Sequence, residues 1–310
     1  MKSFDIVTLT VNPALDKSAH FKGLVPEQKI RCDEPRFDAG GGGINVSKAI
    51  SRLGGASLAV FTSGGPTGKM LEDLVSKESI EHEVIEIRNW TRESFVAVDD
   101  NTNLQYRFSF KGAEITTLEK NKIIETIQNL KFKYLVLSGG LNEGLSSDFY
   151  QIFAGIAKAS NSKLIVDTSG EALEKVIETG VYMIKPNVGE LAKLIGVERL
   201  ELEEVNEAAK QIIAKGGAEI VVVSLGPQGA VLVTKDSYEF VPAPNVPKKS
   251  TVGAGDSMVG GMVWALSQNK SLKEVIRWGV ACGSAATMNE GTQLFKFEDA
   301  KRLFEWFKDK

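Results

Sequence analysis

Six stretches of the chain are continuous apolar runs closed by turn residues: "FDIVTLT" (4–10), "SLAVFTS" (57–63), "KYLVLSG" (133–139), "KLIVDTS" (163–169), "VYMIKPN" (181–187) and "EIVVVSLG" (219–226). Runs of this length, rich in Val, Ile and Leu, predict strands buried on both faces. Between them, segments near 44–53, 66–78, 117–130, 145–160, 170–179, 188–195 and 203–215 carry apolar residues at helical spacing. The alternation builds βα units. The expected fold class is α/β, a doubly wound, mainly parallel sheet flanked by helices. In such sheets ligands gather beyond the carboxyl ends of the strands, so the loops after strands are where chemistry is sought.

Two regions break this rhythm. Residues 19–38 and 94–110 alternate polar and apolar without a helix between, which predicts strands wet on one face. In "LQYRFSF", Tyr106, Phe108 and Phe110 oppose Gln105, Arg107 and Ser109, and Lys29, Arg31 and Asp33 are expected to share a face opposite Ile30 and Cys32. Insertions at about 17–38 and 92–111 would then form a small antiparallel β lid over a single domain spanning 1–310. Its cationic face would turn toward a cleft, and its aromatic face needs cover that a second copy can supply, so a homodimer through the lid is expected. Beyond residue 254 the pattern is helical. Met258, Val259, Met262, Val263 and Leu266 form a buried stripe, and helices follow at 271–288 and 297–308.

Composition narrows the function. With 310 residues, 43% of them hydrophobic, the chain can bury one large core. Two cysteines, Cys32 and Cys282, and two histidines suggest neither a disulfide framework nor a zinc site. No signal-like leader and no apolar run near ~18 residues is seen, so a cytoplasmic protein without a membrane partner is expected. A formal net charge of −3 argues against a nucleic-acid surface, so any phosphate site must be built from a few placed cations.

Glycines mark the candidate chemistry. In "STVGAGDSMVGG", Gly253, Ala254 and Gly255 precede Asp256 at a helix start, where small residues let an oxyanion reach unpaired N–H groups. A carboxylate there can take the proton of a hydroxyl attacking a phosphoryl group, or simply complement the helix terminus. In "DAGGGGINV", four glycines including Gly41 and Gly42 open a helix and bare a wall to a hydroxyl-rich ligand, with Asn45 in reach; a merely loose loop is the other reading. Asp16 of "VNPALDKS" can accept from two sugar hydroxyls or serve as a turn former. Asn187 and Glu190 of "KPNVGEL" suit water-bound Mg²⁺ beside nucleotide phosphates, and equally a capping box. Ser224, Gly226 and Gly229 of "VVVSLGPQGAV" form either a nucleotide turn or a hairpin turn. "SGGPTGKM" fails as a P-loop, because Ser63 stands where its first glycine belongs and Met70 where its Mg²⁺-binding hydroxyl belongs. A dinucleotide fingerprint is missing too, since Met258 occupies the third glycine position counted from Gly253.

Taken in order, "TLTVNPALD", "GGGGINVSKAISRLG", "KPNVGEL", "VVVSLGPQGA" and "STVGAGDSMVGG" resemble the ribokinase-like (pfkB) carbohydrate kinase family over essentially the whole chain. "PEQKIRC", "NWTRE", "YRF" and "ACGSAATMNEGTQL" are most similar to its minor, ribokinase-fold 6-phosphofructokinase branch. The resemblance implies ATP as co-substrate, Mg²⁺, and transfer to O1 of fructose 6-phosphate, with tagatose 6-phosphate or fructose 1-phosphate as alternatives and a non-catalytic sugar-phosphate sensor as a remoter one. It implies Asp256 as catalytic base and Gly253, Ala254 and Gly255 as the anion cradle. Asp16, Gly41, Gly42 and Asn45 would contact the sugar, while Lys29 and Arg92, with Arg31 and Arg107 in second rank, would hold its phosphate. Lys185, Asn187, Ser224, Gly226, Gly229, Thr251 and Ser284 would line the nucleotide, Asn187 and Glu190 acting on Mg²⁺ through water. Ser250, Val252, Ala286, Asn289 and Gly291 match a monovalent-cation (K⁺) site. One departure stands out: "SGGLNEG" puts Gly140 where the family has a substrate-contacting serine.

Overall fold

A computed structural model describes residues 2–291 and 293–307. Lys2–Thr10 (β1) turns into Ala14–Phe21 (β2), and Arg36–Gly40 (β3) leads to Gly42–Arg52 (α1). Leu58–Ser63 (β4), Gly65–Lys77 (α2), Glu81–Glu86 (β5), Arg92–Asp99 (β6) and Leu104–Ser109 (β7) follow. The βα alternation continues through Thr117–Gln128 (α3), Leu130–Ser138 (β8), Phe149–Ala159 (α4), Lys163–Asp167 (β9), Glu171–Ile177 (α5), Val181–Ile184 (β10), Val188–Ile195 (α6), Val205–Ala214 (α7) and Ala218–Ser224 (β11). Gly229–Val233 (β12) and Tyr238–Pro242 (β13) form a hairpin, and Ala254–Ser267 (α8), Leu272–Thr287 (α9) and Phe297–Trp306 (α10) complete the chain.

Among the described residues nine strands form one sheet in the order β13-β12-β11-β10-β9-β8-β1-β4-β5, parallel from β11 to β5 and antiparallel across β12 and β13. The six apolar runs are six of its seven interior strands, β12 being the other. In β8, β9 and β11 alternate buried residues of the run serve opposite faces. Leu135 and Leu137 of β8 join the core that holds Phe149 and Phe153 of α4, whereas Tyr134 and Val136 join the core that holds Val259 and Met262 of α8. Burying each such aliphatic side chain stabilises the fold by about 1.5–3 kcal/mol, which is why both faces are covered. The apolar-run pattern does not mark β5, β12 and β13; β5, "EHEVIE", and β13, "YEFVP", are half-exposed edges.

The predicted stripe on α8 is buried, but burial reaches further round the helix, from Ser257 to Val263. Close approach is the reason. A Cβ on Gly260 would lie 2.5 Å from Ala49 Cβ of α1, and one on Gly261 would lie 2.7 Å from the Trp278 carbonyl of α9. The helix expected at 297–308 is α10; position 308 lies outside the described residues.

The small sheet expected from the two insertions is present, in the order β3-β2-β6-β7. Its outer pairs are antiparallel, but the central pair, β2 with β6, is parallel. The reason is topological: β1 and β5 run the same way in the large sheet, and their continuations leave side by side. A second correction concerns residues 29–33, where strand alternation was expected. Residues 22–35 form an irregular connection bounded by Gly23, Pro26 and Pro35, joined to β2 by the single bridge Phe21 to Cys32. Lys29, Arg31 and Asp33 are exposed there and share no sheet face. Among the described residues no helix is long and apolar enough to cross a membrane.

Candidate active site

The glycine run starts α1 on the carboxyl ends of β1 and β8. Gly41 has φ 120°, in the region that favours glycine, and a Cβ on Gly42 would lie 2.2 Å from Ser138 Oγ. At Gly40 an added Cβ would strike the Asp16 carboxylate at 2.2 Å. Much of the space expected for a ligand is therefore filled by the protein's own groups, and the run serves close packing as well as access. The register that follows is fixed by Thr10 Oγ1, which accepts from the Ile44 N–H at 3.0 Å. At the next residue, Asn45 Nδ2 donates to Asp256 Oδ2 at 2.8 Å. Asn45 Oδ1 and Ser138 Oγ are buried with no partner among the described residues, two polar groups suited to a sugar hydroxyl.

Asp256 stands in the first turn of α8, after Gly253 in the left-handed region (φ 72°). The N–H groups of Gly255 and Asp256 have no acceptor among the described residues, so the helix mouth presents open donors and a positive dipole end. Removal from water pushes the Asp256 pKa up to about 7. The nearby carboxylates of Asp167 and Asp16 push the same way, while the Asn45 bond and Lys185 oppose them. Such a group is poised to take a proton near neutrality. Lys185, 8% exposed, reaches Asp167 at 3.1 Å, and its Nζ lies 3.5 Å from where a Cβ on Gly255 would stand. Burial alone would push its pKa down, but Asp167, then Asp256 and Glu190, override this and raise it, so it remains a cation beside the open N–H groups. Asp167 was not singled out in the sequence; its signal is that "KLIVD" ends in a carboxylate at the carboxyl end of a predicted strand.

Across the mouth, Arg92 at the start of β6 donates through Nε to Asn12 Oδ1 at 3.0 Å and through Nη1 to Ser109 Oγ at 3.2 Å. Burial lowers its pKa and Asp16 opposes this, which puts the two side chains in one neighbourhood. Asn12 is a second unforeseen residue. Its position in "VNP" right after β1 was the available signal. Arg107 Nη2 donates to Thr251 Oγ1 at 3.0 Å, tying the small sheet to the segment before Gly253. Lys29 and Arg31 are not brought into this cluster; they stay on the exposed connection, with no side-chain hydrogen bond or ion pair among the described residues.

On the other side, Asn187 and Glu190 form the capping box in full, each accepting the other's N–H at 2.9 Å. The box uses Glu190 Oε2, and both residues line a cleft of about 400 Å³. Among the described residues no cluster of three or more His, Cys, Asp or Glu could hold a metal by itself, so Mg²⁺ would need phosphate and water to complete its shell. Asn187 is bridged to Ser224, and the Ser224 N–H meets the Pro186 carbonyl at 3.0 Å. Gly226 is exposed after β11, whereas Gly229 is buried against the Val241 carbonyl and closes the hairpin. Ser284 lies on α9, where the adjoining Gly283 packs against the Ala254 carbonyl. The N–H groups of Lys249 and Ser250 meet the Thr287 carbonyl, Ser250 Oγ accepts from Val252, and Asn289 bonds the Ala285 and Ala286 carbonyls. The five residues expected around a monovalent cation thus lie on two adjoining segments, with Gly291 (φ 53°) at the end of the second.

The profile of the pfkB family carbohydrate kinases matches residues 3–299. This chain belongs to that family. The chain is 40% identical over 303 residues to ATP-dependent 6-phosphofructokinase isozyme 2 of Escherichia coli K12, covering 97% of this chain and 98% of that one. It is 32% identical over 293 residues to 1-phosphofructokinase of Bacillus subtilis 168, covering 94% and 95%. The crystal structure of phosphofructokinase-2 from Escherichia coli in complex with potassium superposes with TM-score 0.94 at 40% identity, over 98% and 99% of the two chains. The tetrameric inhibited form of that enzyme gives TM-score 0.93 at 38% identity, again over 98% and 99%. In this pfkB kinase, Gly140 faces open space, with nothing within 4 Å of an added Cβ.

Proposed function

We propose that this pfkB kinase transfers the γ-phosphoryl group of ATP to the O1 hydroxyl of fructose 6-phosphate. The carrying observation is the Asp256 carboxylate, hydrogen-bonded to Asn45 at 2.8 Å, with a pKa raised to about 7 at a helix mouth whose next donors are open. Asp256 accepts the O1 proton as that oxygen attacks; the Gly255 and Asp256 N–H groups and the Lys185 ammonium meet charge on the transferring group. Asp16, Asn45 and the backbone at Gly41 and Gly42 hold the sugar hydroxyls. Arg92 and Arg107, joined by Lys29 when the 22–35 connection moves inward, hold the 6-phosphate, each charge-assisted bond contributing about 1.5–3 kcal/mol.

The nucleotide lies along Ser224, Gly226, Thr251 and Ser284. Mg²⁺ held through water by Asn187 and Glu190 would neutralise its phosphates; Glu190 Oε1, which the capping box does not use, supports this assignment. A potassium ion ringed by Ser250, Val252, Ala286, Asn289 and Gly291 is supported by the pairing of their two segments at Thr287. The small sheet acts as a lid, and Phe95 and Phe108, stacked with ring centroids 6.0 Å apart, lie on the face through which two copies would pair. Steady-state kcat/KM with ATP and fructose 6-phosphate, tagatose 6-phosphate and fructose 1-phosphate tests the reading. Fructose 6-phosphate should lead; preference for another sugar overturns the substrate, and ADP release with none of them overturns the kinase assignment.

A further inference from the structure

Leu294 is buried at 1% exposure yet has a left-handed backbone (φ 57°), a conformation that side chains other than glycine rarely keep unless their surroundings impose it. Its Cδ2 presses on Gly253, 2.6 Å from where a Cβ would stand. Two left-handed residues therefore face each other at the start of α8. The constraint on Leu294 comes from Arg52, the last residue of α1. Arg52 Nη1 donates to the carbonyls on both sides of Leu294, those of Gln293 and Phe295, the latter at 2.9 Å. Arg52 Nη2 is anchored in turn by Glu78 at 3.4 Å, which also pairs with the buried Lys48 at 3.5 Å. Helix α1 thus reaches the catalytic turn twice, through Asn45 on Asp256 and through Arg52 on the strap behind Gly253.

We infer that Arg52 is a positioning residue for phosphoryl transfer: by gripping the 293–295 strap it holds Leu294 against Gly253 and fixes the aim of the Gly255 and Asp256 N–H groups. The inference rests on the reading of this turn as the phosphoryl cradle. Arg52 touches no substrate. Without its grip the strap relaxes toward ordinary backbone, Leu294 withdraws, and the turn loses its register, while the sugar-phosphate groups on the far wall stay in place. Misplacement on this scale costs roughly 10- to 100-fold in turnover.

The experiment compares wild type, Arg52→Ala, Arg52→Lys, Leu294→Ala and the Arg52→Ala/Leu294→Ala double variant by steady-state kinetics, thermal melting and amide hydrogen exchange. For Arg52→Ala we expect kcat lowered ~10- to 100-fold with the sugar-phosphate KM within ~3-fold, and partial rescue by millimolar guanidinium. Exchange at 253–257 should rise while that of β8 and β9 is unchanged. Leu294→Ala should reproduce both changes, and the double variant should fall no further than the worse single variant. Normal kcat per folded molecule in Arg52→Ala, a loss that only tracks the melting curve, unchanged exchange at 253–257, or additive single effects would each overturn the inference. Loosened exchange in a chain whose wild type phosphorylates no sugar would instead uphold the coupling and refute the function proposed above.

Discussion

The two walls of the cleft are built in opposite ways. On the α8 wall every charged group is already placed: Asp256 is bonded to Asn45, Lys185 is paired with Asp167, and the open N–H groups sit on a helix buried from Ser257 to Val263. On the wall of the small sheet Arg92 is held by Asn12 and Ser109, but Lys29 and Arg31 ride an exposed connection, and Arg107 is exposed with its guanidinium on Thr251 and Gln105. Under the function proposed above, the difference follows from what each wall must do. Stabilising a transition state requires donors and a base fixed before the reaction, because reorganising them during it would cost the rate. Gripping a phosphate requires only that cations arrive, and their arrival can be driven by the binding itself.

Substitutions on the two walls should therefore separate kcat from KM. The largest effect is expected for Asp256→Asn, which keeps the shape and removes the base: kcat should drop ~10²- to 10⁴-fold with little change in sugar-phosphate KM. Near-normal turnover would break the comparison at its strongest point. Lys29→Ala should act the other way, raising the fructose 6-phosphate KM ~10- to 100-fold, about 1.4–2.8 kcal/mol, with a much smaller change in kcat. An unchanged KM would mean that the connection does not close on the phosphate.

The acid limb of the pH–rate profile offers a finer test. It should report a group near pH 7, and Asn45→Ala should move it upward, because the amide bond is one of the interactions that lower the Asp256 pKa. Stability carries the same signature with its own sign. Between about pH 4 and pH 7 the folded chain holds a proton at Asp256 that the unfolded chain has lost, so its contribution to stability falls as pH rises through that window. At pH 8 Asp256→Asn should therefore melt higher than wild type, by roughly 1–3 kcal/mol of stability, in a calorimetric comparison. The smallest effect is expected for Gly140→Ser: the space is open, so the variant should fold normally and lower the sugar-phosphate KM by no more than ~5-fold through one added hydrogen bond.

Much of the fold was legible because strands buried on both faces leave unbroken apolar runs, which no solvent-facing element mimics. β5 and β13 escaped because edge strands carry the polar residues that an edge needs. Residues 29–33 misled, because polar and apolar residues alternate there as in a strand, while the flanking prolines and glycine leave it irregular. Among the candidate site residues, Asp256, Asn187 and the glycine runs stood out by their local oddity. Asp167, Asn12 and Arg52 are ordinary in their own surroundings. Only their distant partners, Lys185, Arg92 and the 293–295 strap, give them meaning.

From the sequence alone came the strand–helix alternation, the helix mouth with its carboxylate, and the family resemblance, since each is written in neighbouring residues through backbone sterics and burial periodicity. Which groups meet was decided by the tertiary structure. The bond between Asn45 and Asp256 joins residues 211 positions apart, and the raised pKa of Asp256 exists only because folding removes it from water near two other carboxylates. Electrostatic work of that kind depends on distance in space and on the water excluded around a charge, and neither quantity is carried by position along a chain.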